Sequence, residues 1–402
     1  MTTRATSIIV QKYGGSSVAD VDKLRAVARR VVETVEKGHR VVVVISAMGK
    51  TTDELLSLAR AVTPDPSRRE LDMLLTSGER ISAALLAMAI TSMGHEAISF
   101  TGSQCGILTN DRHSDARIIE VRPWRVQDEL ERGRVVIIAG FQGVSYKREI
   151  TTLGRGGSDT TAVAMAAALG ADCEICSDVD GVYTADPRVV ERPVHLEKIS
   201  YDEMQELAQH GAKVLNAQAV EFARRAGIVI YARATAGSNR VTLVLSQSES
   251  ARAVGVAGMK DLVCVHGDGG AAQLSALVKL LEGHQTTALR ARLHEGQPVL
   301  MISRENCHDY GVLRAKLEKA GGMVWFEEGL EAASLVGQGL GDDATHLARV
   351  LALVERERLP LHSVDTAPLR LTLFLRPGKL KETLQALHRE FVEATVEENA
   401  EA

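Results

Sequence analysis

The first 235 residues alternate short apolar runs with segments whose apolar residues recur every three or four positions. The runs Arg40–Ser46 and Val135–Ala139 are rich in β-branched residues, as expected of strands that are buried on both faces. Asp20 can cap a segment with helical spacing, and Gly38 can end it. The Ala-rich segment Thr160–Leu169 predicts another helix, which Asp159 could cap and Gly170 could end. Strands that alternate with helices predict an α/β fold with a mostly parallel sheet and helices on both of its faces.

The composition changes to Ser, Gln, Asn and Gly around Ala236–Arg252, which predicts a domain boundary. The chain beyond it has two successive groups of strand-like and helix-like segments, beginning with an apolar strand at Leu262–His266, which predict two small α+β modules. We therefore expect a first domain at residues 1–245 and a second region at 246–402. The second module of that region covers about residues 334–392.

Charge and composition exclude several partners. Aromatic residues make up 3% of the chain, too few for the stacking platforms of single-strand nucleic-acid binders, and the net charge is −5. The apolar runs are too short to span a bilayer, and the N-terminus has no apolar signal segment. We expect no nucleic-acid or membrane partner and a cytoplasmic protein with free thiols. Cys173 and Cys176 form a C-x-x-C that fits a buried strand better than a redox or metal site.

Three motif matches fail on spacing. A P-loop around Gly49 would need a glycine where the chain has Val44. A dinucleotide-binding fingerprint would need its third glycine at Asp159. A calcium loop would need a glutamate at Pro187.

Three glycine-rich segments each follow a predicted strand and precede a predicted helix: Lys12–Ser17, Ser46–Gly49 and Gly154–Asp159. Any one of them is explained by a tight turn. Together they would converge at the carboxyl ends of a parallel sheet, where backbone amides and helix N-termini bind anions.

Three cations accompany these segments. Lys12 leaves the first strand, Arg155 stands between glycines where a bulky side chain has no packing role, and Lys213 could reach a polyphosphate from one side. Each alone could be a solvated surface charge, but with the glycine loops they favour an anion site.

Eight segments, in order and spacing, resemble the aspartokinases of the amino acid kinase superfamily: Val10–Val18, Ser46–Gly49, Thr76–Ser82, Phe100–Gln104, Ala139–Gly143, Thr151–Asp159, Ser177–Arg188 and Gly211–Lys213. The resemblance implies a three-layer amino acid kinase fold with a mostly parallel central sheet. The region after residue 245 resembles, more loosely, the paired ACT regulatory modules of that family.

The implied reaction transfers the γ-phosphoryl group of ATP, with Mg²⁺, to the β-carboxylate of L-aspartate. Its product, 4-phospho-L-aspartate, begins the pathway to lysine, threonine and related amino acids. The acceptor carboxylate has a reference pKa of about 3.9, so it needs no general base. The alternatives are a glutamate or nucleoside-monophosphate kinase and a non-catalytic amino-acid sensor. A homo-oligomer joined through the ACT-like region is also implied.

The resemblance assigns roles to individual residues. Lys12 would contact the transferring phosphoryl group, and Asp159 would orient Lys12. Arg155 would hold the α-carboxylate of aspartate and Glu79 its ammonium group. The other substrate-binding residues would be Ser46, Thr51 and Ser158. The nucleotide and its phosphates would be bound by Gly14, Gly15, Ser16, Gly49, Ser177, Asp178, Tyr183, Asp186, Arg188 and Lys213, with no metal ligand among the side chains.

The second region departs from the family pattern in two places. Members controlled by lysine or threonine usually carry a Pro-Gly turn and a Gln-Asn pair in the first ACT module. Here the turn is His266–Gly270 and the later strand region is Gln285–Arg292, without Gln-Asn. We expect lysine and threonine to inhibit weakly or not at all, while the modules still pair subunits.

Overall fold

The computed structural model describes residues 7–154, 156–246, 253–284, 286–305, 307 and 310–393. The chain divides into two compact units. The first comprises Met1–Val182, His195–Ala208 and Lys213–Ser248, and the second comprises Tyr183–Val194, Gln209–Ala212 and Glu249–Ala402.

The first unit contains most of the elements up to residue 246. In chain order they are β1 (Ile8–Tyr13), α1 (Val21–Glu36), β2 (Arg40–Ile45), α2 (Thr51–Val62), α3 (Arg68–Thr91), β3 (Ala97–Phe100), β4 (Ile107–Thr109), β5 (Ile118–Val121), α4 (Trp124–Glu131), β6 (Val135–Ala139), β7 (Gln142–Ser145), β8 (Ile150–Thr152), α5 (Gly157–Leu169), β9 (Asp172–Ser177), β10 (Val182–Tyr183), β11 (His195–Leu196), β12 (Lys198–Ser200), α6 (Tyr201–Gln209), α7 (Ala217–Ala226), β13 (Ile230–Ala234) and β14 (Val241–Leu245).

Eight strands form the main sheet in the order β12-β14-β13-β9-β1-β2-β6-β3. The six strands from β13 to β3 are parallel to their neighbours, and β14 returns antiparallel beside β13. Helices α1 and α3 pack on one face of the sheet and α5 on the other, which gives three layers. The expected α/β fold with a mostly parallel sheet is confirmed.

Local signals explain several element boundaries. The Asp20 side chain caps α1 by accepting a hydrogen bond from the Lys23 backbone at 2.8 Å. Gly170 ends α5 in the left-handed conformation, with φ of 59°. The α5 helix begins at Gly157, three residues before the predicted start at Thr160, and its N-cap is Gly156 rather than Asp159. The strand Val135–Ala139 has the predicted bounds.

Helix α3 is long and apolar enough to cross a membrane by length and composition alone. It nevertheless packs Ala83, Leu86 and Ile90 into the core beneath the sheet. It also buries two carboxylates, Asp72 and Glu79, inside the first unit. A core helix explains the apolar composition and the burial. Each carboxylate accepts a hydrogen bond within the fold, Asp72 from Thr152 and Glu79 from the Ala47 amide.

A smaller four-stranded sheet, in the order β5-β4-β7-β8, extends the first unit beside α3. Strand β7 follows β6 after a short turn, and β8 leads directly into the Gly154–Asp159 loop. This sheet therefore anchors one of the three glycine-rich loops.

The second unit is built on a six-stranded antiparallel sheet in the order β16-β17-β15-β18-β20-β19. Its elements are β15 (Ala253–Gly267), α8 (Gly270–Gly283), β16 (Ala288–His294), β17 (Gln297–Ser303), α9 (Tyr310–Leu317), β18 (Val324–Gly337), α10 (Ala344–Arg356), β19 (Leu361–Ala367), β20 (Arg370–Leu375) and α11 (Leu380–His388). The long strands β15 and β18 run through both halves of the sheet and join them. One half packs on α8 and α9, and the other packs on α10 and α11.

All five cysteines are buried free thiols. Cys173 and Cys176 lie on β9, and burial raises the pKa of the Cys176 thiol to about 12. A thiol with so high a pKa is a poor nucleophile and a poor metal ligand at neutral pH, in keeping with the predicted strand role.

Candidate active site

The three glycine-rich loops meet at one cleft of about 350 Å³ at the carboxyl ends of β1, β2 and the strand before α5. The residues that line it are Lys12, Gly14, Gly15, Ser46, Ala47, Gly49, Thr52, Glu79, Phe141, Gly154, Gly156, Gly157, Ser158 and Asp159. The N-terminus of α5 opens onto this cleft and adds roughly half a positive charge. The arrangement suits a negatively charged ligand.

Lys12 and Asp159 form an ion pair inside the cleft. The Lys12 Nζ lies 2.6 Å from Asp159 Oδ1, and the two side chains are 13% and 12% exposed. Lys12 occupies the end of β1, while Asp159 occupies the first turn of α5. The pair therefore fixes the ammonium group between a sheet and a helix N-terminus.

Two glycines allow the loops to approach one another. A side chain at Gly15 would place its Cβ 2.8 Å from the Ala47 carbonyl oxygen, which is closer than real contacts allow. Gly156 has φ of 74°, and a Cβ there would lie 2.1 Å from the Asn216 Nδ2. Both positions need glycine because backbone and side chains of neighbouring loops fill the space.

Glu79 is the second carboxylate of the cleft and is almost fully buried on α3. Its Oε1 accepts a hydrogen bond from the Ala47 backbone at 3.2 Å, while its buried Oε2 has no hydrogen-bond partner among the described residues. Burial raises the pKa of Glu79 to about 7, although the bond from Ala47 lowers it. A buried carboxylate oxygen without a partner is costly, so it indicates a place for a cationic group of a ligand.

Of the other residues predicted to bind substrate or phosphate, some line the cleft and others do not. Ser46 and Ser158 line the cleft. Thr51 does not, and its hydroxyl donates to the Met48 carbonyl oxygen at 2.7 Å. Ser16 is exposed and also lies outside the lining set. Arg155, the predicted holder of the α-carboxylate, lies outside the described residues.

The predicted nucleotide-side residues fall in both units. Ser177 ends β9, Asp178 follows it, and Lys213 is exposed at the start of the last segment of the first unit. Tyr183, Asp186 and Arg188 belong to the second unit. The Arg188 guanidinium there donates to both carboxylate oxygens of Asp186, at 3.0 and 2.8 Å.

Six residues that line the cleft were not among the predicted site residues: Ala47, Thr52, Phe141, Gly154, Gly156 and Gly157. Four of them belong to the predicted glycine-rich segments, and the other two are Thr52 and Phe141. Thr52 lies one position after the predicted Thr51, and the first turn of α2 decides which of the two faces the cleft. Phe141 has φ of 68°, a conformation that is rare for an aromatic residue, and connects β6 to β7. Phe141 lies within the segment Ala139–Gly143, which carried part of the resemblance, so the sequence could have indicated it as a site residue.

Within the described ranges, no three His, Cys, Asp or Glu side chains are grouped to hold a metal ion. The cleft itself contains two carboxylates, Glu79 and Asp159, and Asp159 is paired with Lys12. These side chains fit a Mg²⁺ ion held mainly by the phosphates of a nucleotide and by water, as Mg²⁺ commonly is.

The chain is similar to known proteins along nearly its whole length. Residues 7–232 match the model of the amino acid kinase family. Aspartokinases of Corynebacterium efficiens and Mycolicibacterium smegmatis are 43% and 40% identical, each with 96% of both chains covered. The structure of E. coli aspartokinase III in complex with aspartate and ADP superposes with a TM-score of 0.84 at 24% identity, covering 95% of this chain and 99% of that one.

Proposed function

Because the chain belongs to the amino acid kinase family, and within it to the aspartokinases, we propose a mechanism that assigns its cleft residues to the aspartate kinase reaction. The enzyme transfers the γ-phosphoryl group of ATP to the β-carboxylate of L-aspartate. The observation that best supports our assignment is that Oε2 of Glu79, in the same cleft as the Lys12–Asp159 pair, has no hydrogen-bond partner among the described residues.

Glu79 would receive the α-ammonium group of aspartate. The ammonium group would supply the hydrogen-bond donor and the positive charge that the buried Oε2 lacks. Arg155 would hold the α-carboxylate, as the resemblance implies. With both α-groups held, the β-carboxylate is the end of the substrate left to react.

Lys12 would contact the γ-phosphoryl group as it is transferred. The β-carboxylate is already ionised at neutral pH, so the chemical obstacle is the approach of two anions rather than a proton transfer. One cation–anion contact at 4 Å contributes about 4 kcal/mol at an effective dielectric near 20. Asp159 keeps the ammonium group of Lys12 in place before the nucleotide binds, and the N-terminus of α5 adds to the positive potential.

Mg²⁺ would enter with ATP, bound by its phosphates, and would neutralise part of the phosphate charge. The amides of Gly14, Gly15 and Gly49 would approach the phosphates closely. Ser177, Asp178 and Lys213 of the first unit would bind the remainder of the nucleotide. For Tyr183, Asp186 and Arg188, a nucleotide role is what the resemblance implies.

A coupled ADP-release assay with Mg-ATP tests the reaction and its substrate. We expect ADP release that depends on L-aspartate and an acyl phosphate that hydroxylamine traps as the hydroxamate. Glutamate and nucleoside monophosphates should not replace aspartate. ADP release that is equal with and without aspartate would contradict the assignment.

The kcat/KM for aspartate should change with pH because Glu79 titrates. Because its pKa is about 7 in the free enzyme, the carboxylate is ionised above pH 7 and neutral below it. We expect kcat/KM for aspartate to fall about tenfold per pH unit below pH 7, since only the ionised form attracts the ammonium group. The KM for ATP, measured at saturating aspartate, serves as the control. A kcat/KM for aspartate that is flat between pH 5.5 and 7 would exclude this role.

Lysine and threonine at millimolar concentration should lower the initial rate weakly or not at all. Gln273 fills the unusual His266–Gly270 turn: its carboxamide accepts from the Gly269 amide at 2.7 Å and donates to the carbonyl oxygens of Gly321 and Met323. The Gly269 amide of the turn is thus already paired within the chain. Gln285, the first residue of the segment Gln285–Arg292 that also departs from the family pattern, lies outside the described residues. Strong inhibition by either amino acid in the ADP-release assay would overturn the expectation.

The domain limits, the assembly and the location remain proposals. We assign residues 1–245 to catalysis and residues 246–402 to paired ACT-like modules, the second at about 334–392. The protein would assemble as a homo-oligomer through the second region, which light scattering can test. Buried free cysteines support a reducing cytoplasm as its location.

A further inference from the structure

The loop that follows β13, residues Thr235–Ser238, makes hydrogen bonds to two other loops at the same end of the sheet. We call it the bridging loop. The Thr235 amide donates to the Ser177 carbonyl oxygen at 2.8 Å, and the Thr235 hydroxyl lies 2.7 Å from the Ser17 hydroxyl. The Ser238 hydroxyl donates to Asp180 at 2.9 Å. One short loop therefore contacts both the first glycine-rich segment and the segment after β9.

The sheet order explains how a single residue can do this. Strands β13, β9 and β1 are consecutive neighbours and run parallel, so their carboxyl ends lie side by side. Thr235 follows β13, Ser177 ends β9 and Ser17 follows β1. The backbone of Thr235 meets the nearer strand end, and its hydroxyl meets the farther one.

The bridging loop is itself held from below by α1. The Arg30 guanidinium donates to the carbonyl oxygens of Ala234 and Thr235, at 2.7 and 2.5 Å. A charged donor on two consecutive carbonyls fixes the loop backbone. Thr235 is thus held on three sides, by α1, β9 and the first glycine-rich segment.

We propose that Thr235 is a positioning residue for nucleotide binding, one that holds the segment Ser177–Gly181 in register with the segment Lys12–Ser17. The proposal rests on the proposed function, in which Ser177–Gly181 binds the nucleotide and Lys12–Ser17 approaches its phosphates. Neither Thr235 nor Ser17 lines the cleft, so both act through the loops they join. Loss of this link lets the two halves of the nucleotide site shift apart, while the aspartate side keeps its own supports.

The test compares three variants. Thr235→Val keeps the side-chain shape and removes the hydroxyl, Thr235→Ser keeps the hydroxyl, and Ser17→Ala removes the same bond from the other side. We expect Thr235→Val to raise both the KM for ATP and the Kd for ADP, measured by titration calorimetry, about fivefold, the effect of one net hydrogen bond. The KM for aspartate should stay unchanged, and Thr235→Ser should restore the values for the nucleotide.

The double variant Ser17→Ala/Thr235→Val should bind ADP about as weakly as either single variant, because all three lack the same bond. Thr366→Val, an exposed threonine on β19, is the matched control and should change nothing. If Thr235→Val lowers the unfolding temperature, Ser17→Ala provides the measurement instead.

An unchanged Kd for ADP in both Thr235→Val and Ser17→Ala would overturn the proposal. So would an equal rise in the KM values for aspartate and ATP, which indicates general loosening of the fold. The ADP titration needs no turnover, so it tests the link separately from the reaction. Absence of aspartate-dependent ADP release by the wild-type enzyme would instead refute the proposed function.

Discussion

Replacement of Lys12 by alanine lowers kcat about a thousandfold, the loss expected when one preorganised cationic donor to the transition state is removed. The KM for ATP and the Kd for ADP should change far less, because in the proposed assignment glycine amides and residues outside the cleft bind most of the nucleotide. The measurement is kcat from initial rates of ADP release, together with ADP titration of the same protein.

A purely structural role for Lys12 would give a similar loss, since the alanine variant leaves Asp159 buried without its partner at 2.6 Å. The double variant Lys12→Ala/Asp159→Asn separates the two roles. It removes the unpaired charge, so the unfolding temperature should recover while kcat stays low. Lys37→Ala, an exposed lysine after α1, is the matched control. Recovery of kcat in the double variant would contradict direct contact with the phosphoryl group.

The sequence predicted the features that depend on local pattern. The apolar runs of β2 and β6, the Asp20 cap and the Gly170 stop are written in neighbouring residues, and the structure has all four. The convergence of the first two glycine-rich loops also followed, because β1 and β2 are parallel neighbours whose carboxyl ends lie at one edge. The expectation that the third loop belongs to the same sheet was wrong: it follows β8 of the smaller sheet, which pairs antiparallel with β7, so tertiary contacts bring it to the cleft.

Features that depend on tertiary contacts were not predictable in the same way. Strand β14 lies inside the polar stretch that predicted a domain boundary, and residues 247–252 of that stretch lie outside the described ones. Strand β15 was expected only at Leu262–His266, because the irregularity between Met259 and Leu262, where Asp261 has φ of 55°, interrupts its pattern. The Ala47 amide meets Oε1 of Glu79, and Oε2 has no partner among the described residues; this arrangement in space is not encoded by any spacing along the chain.

Glu79→Gln raises the KM for aspartate about a hundredfold, within the range for truncating one partner of a buried charge pair. Glutamine keeps an oxygen that can accept from the Ala47 amide, so the loop should stay in place. The group that reacts is at the other end of aspartate, so kcat should fall less than the KM rises, and the KM for ATP should not change. Glu54→Gln, an exposed glutamate on α2, is the matched control.

Two further measurements show whether charge recognition causes the effect. Succinate has both carboxylates of aspartate but no ammonium group, so its inhibition constant should be no worse in Glu79→Gln than in the wild type. Stability should respond in the opposite sense to activity: the folded-state pKa of about 7 lies above the ordinary glutamate value of 4.5, so the wild-type free energy of unfolding falls as pH rises between these values. The variant lacks this contribution and should be at least as stable at pH 8. A KM for aspartate within about twofold of wild type would contradict the assignment of Glu79 to the substrate site. So small an effect is less than one net hydrogen bond contributes, whereas neutralising a buried carboxylate that binds the ammonium group should cost more.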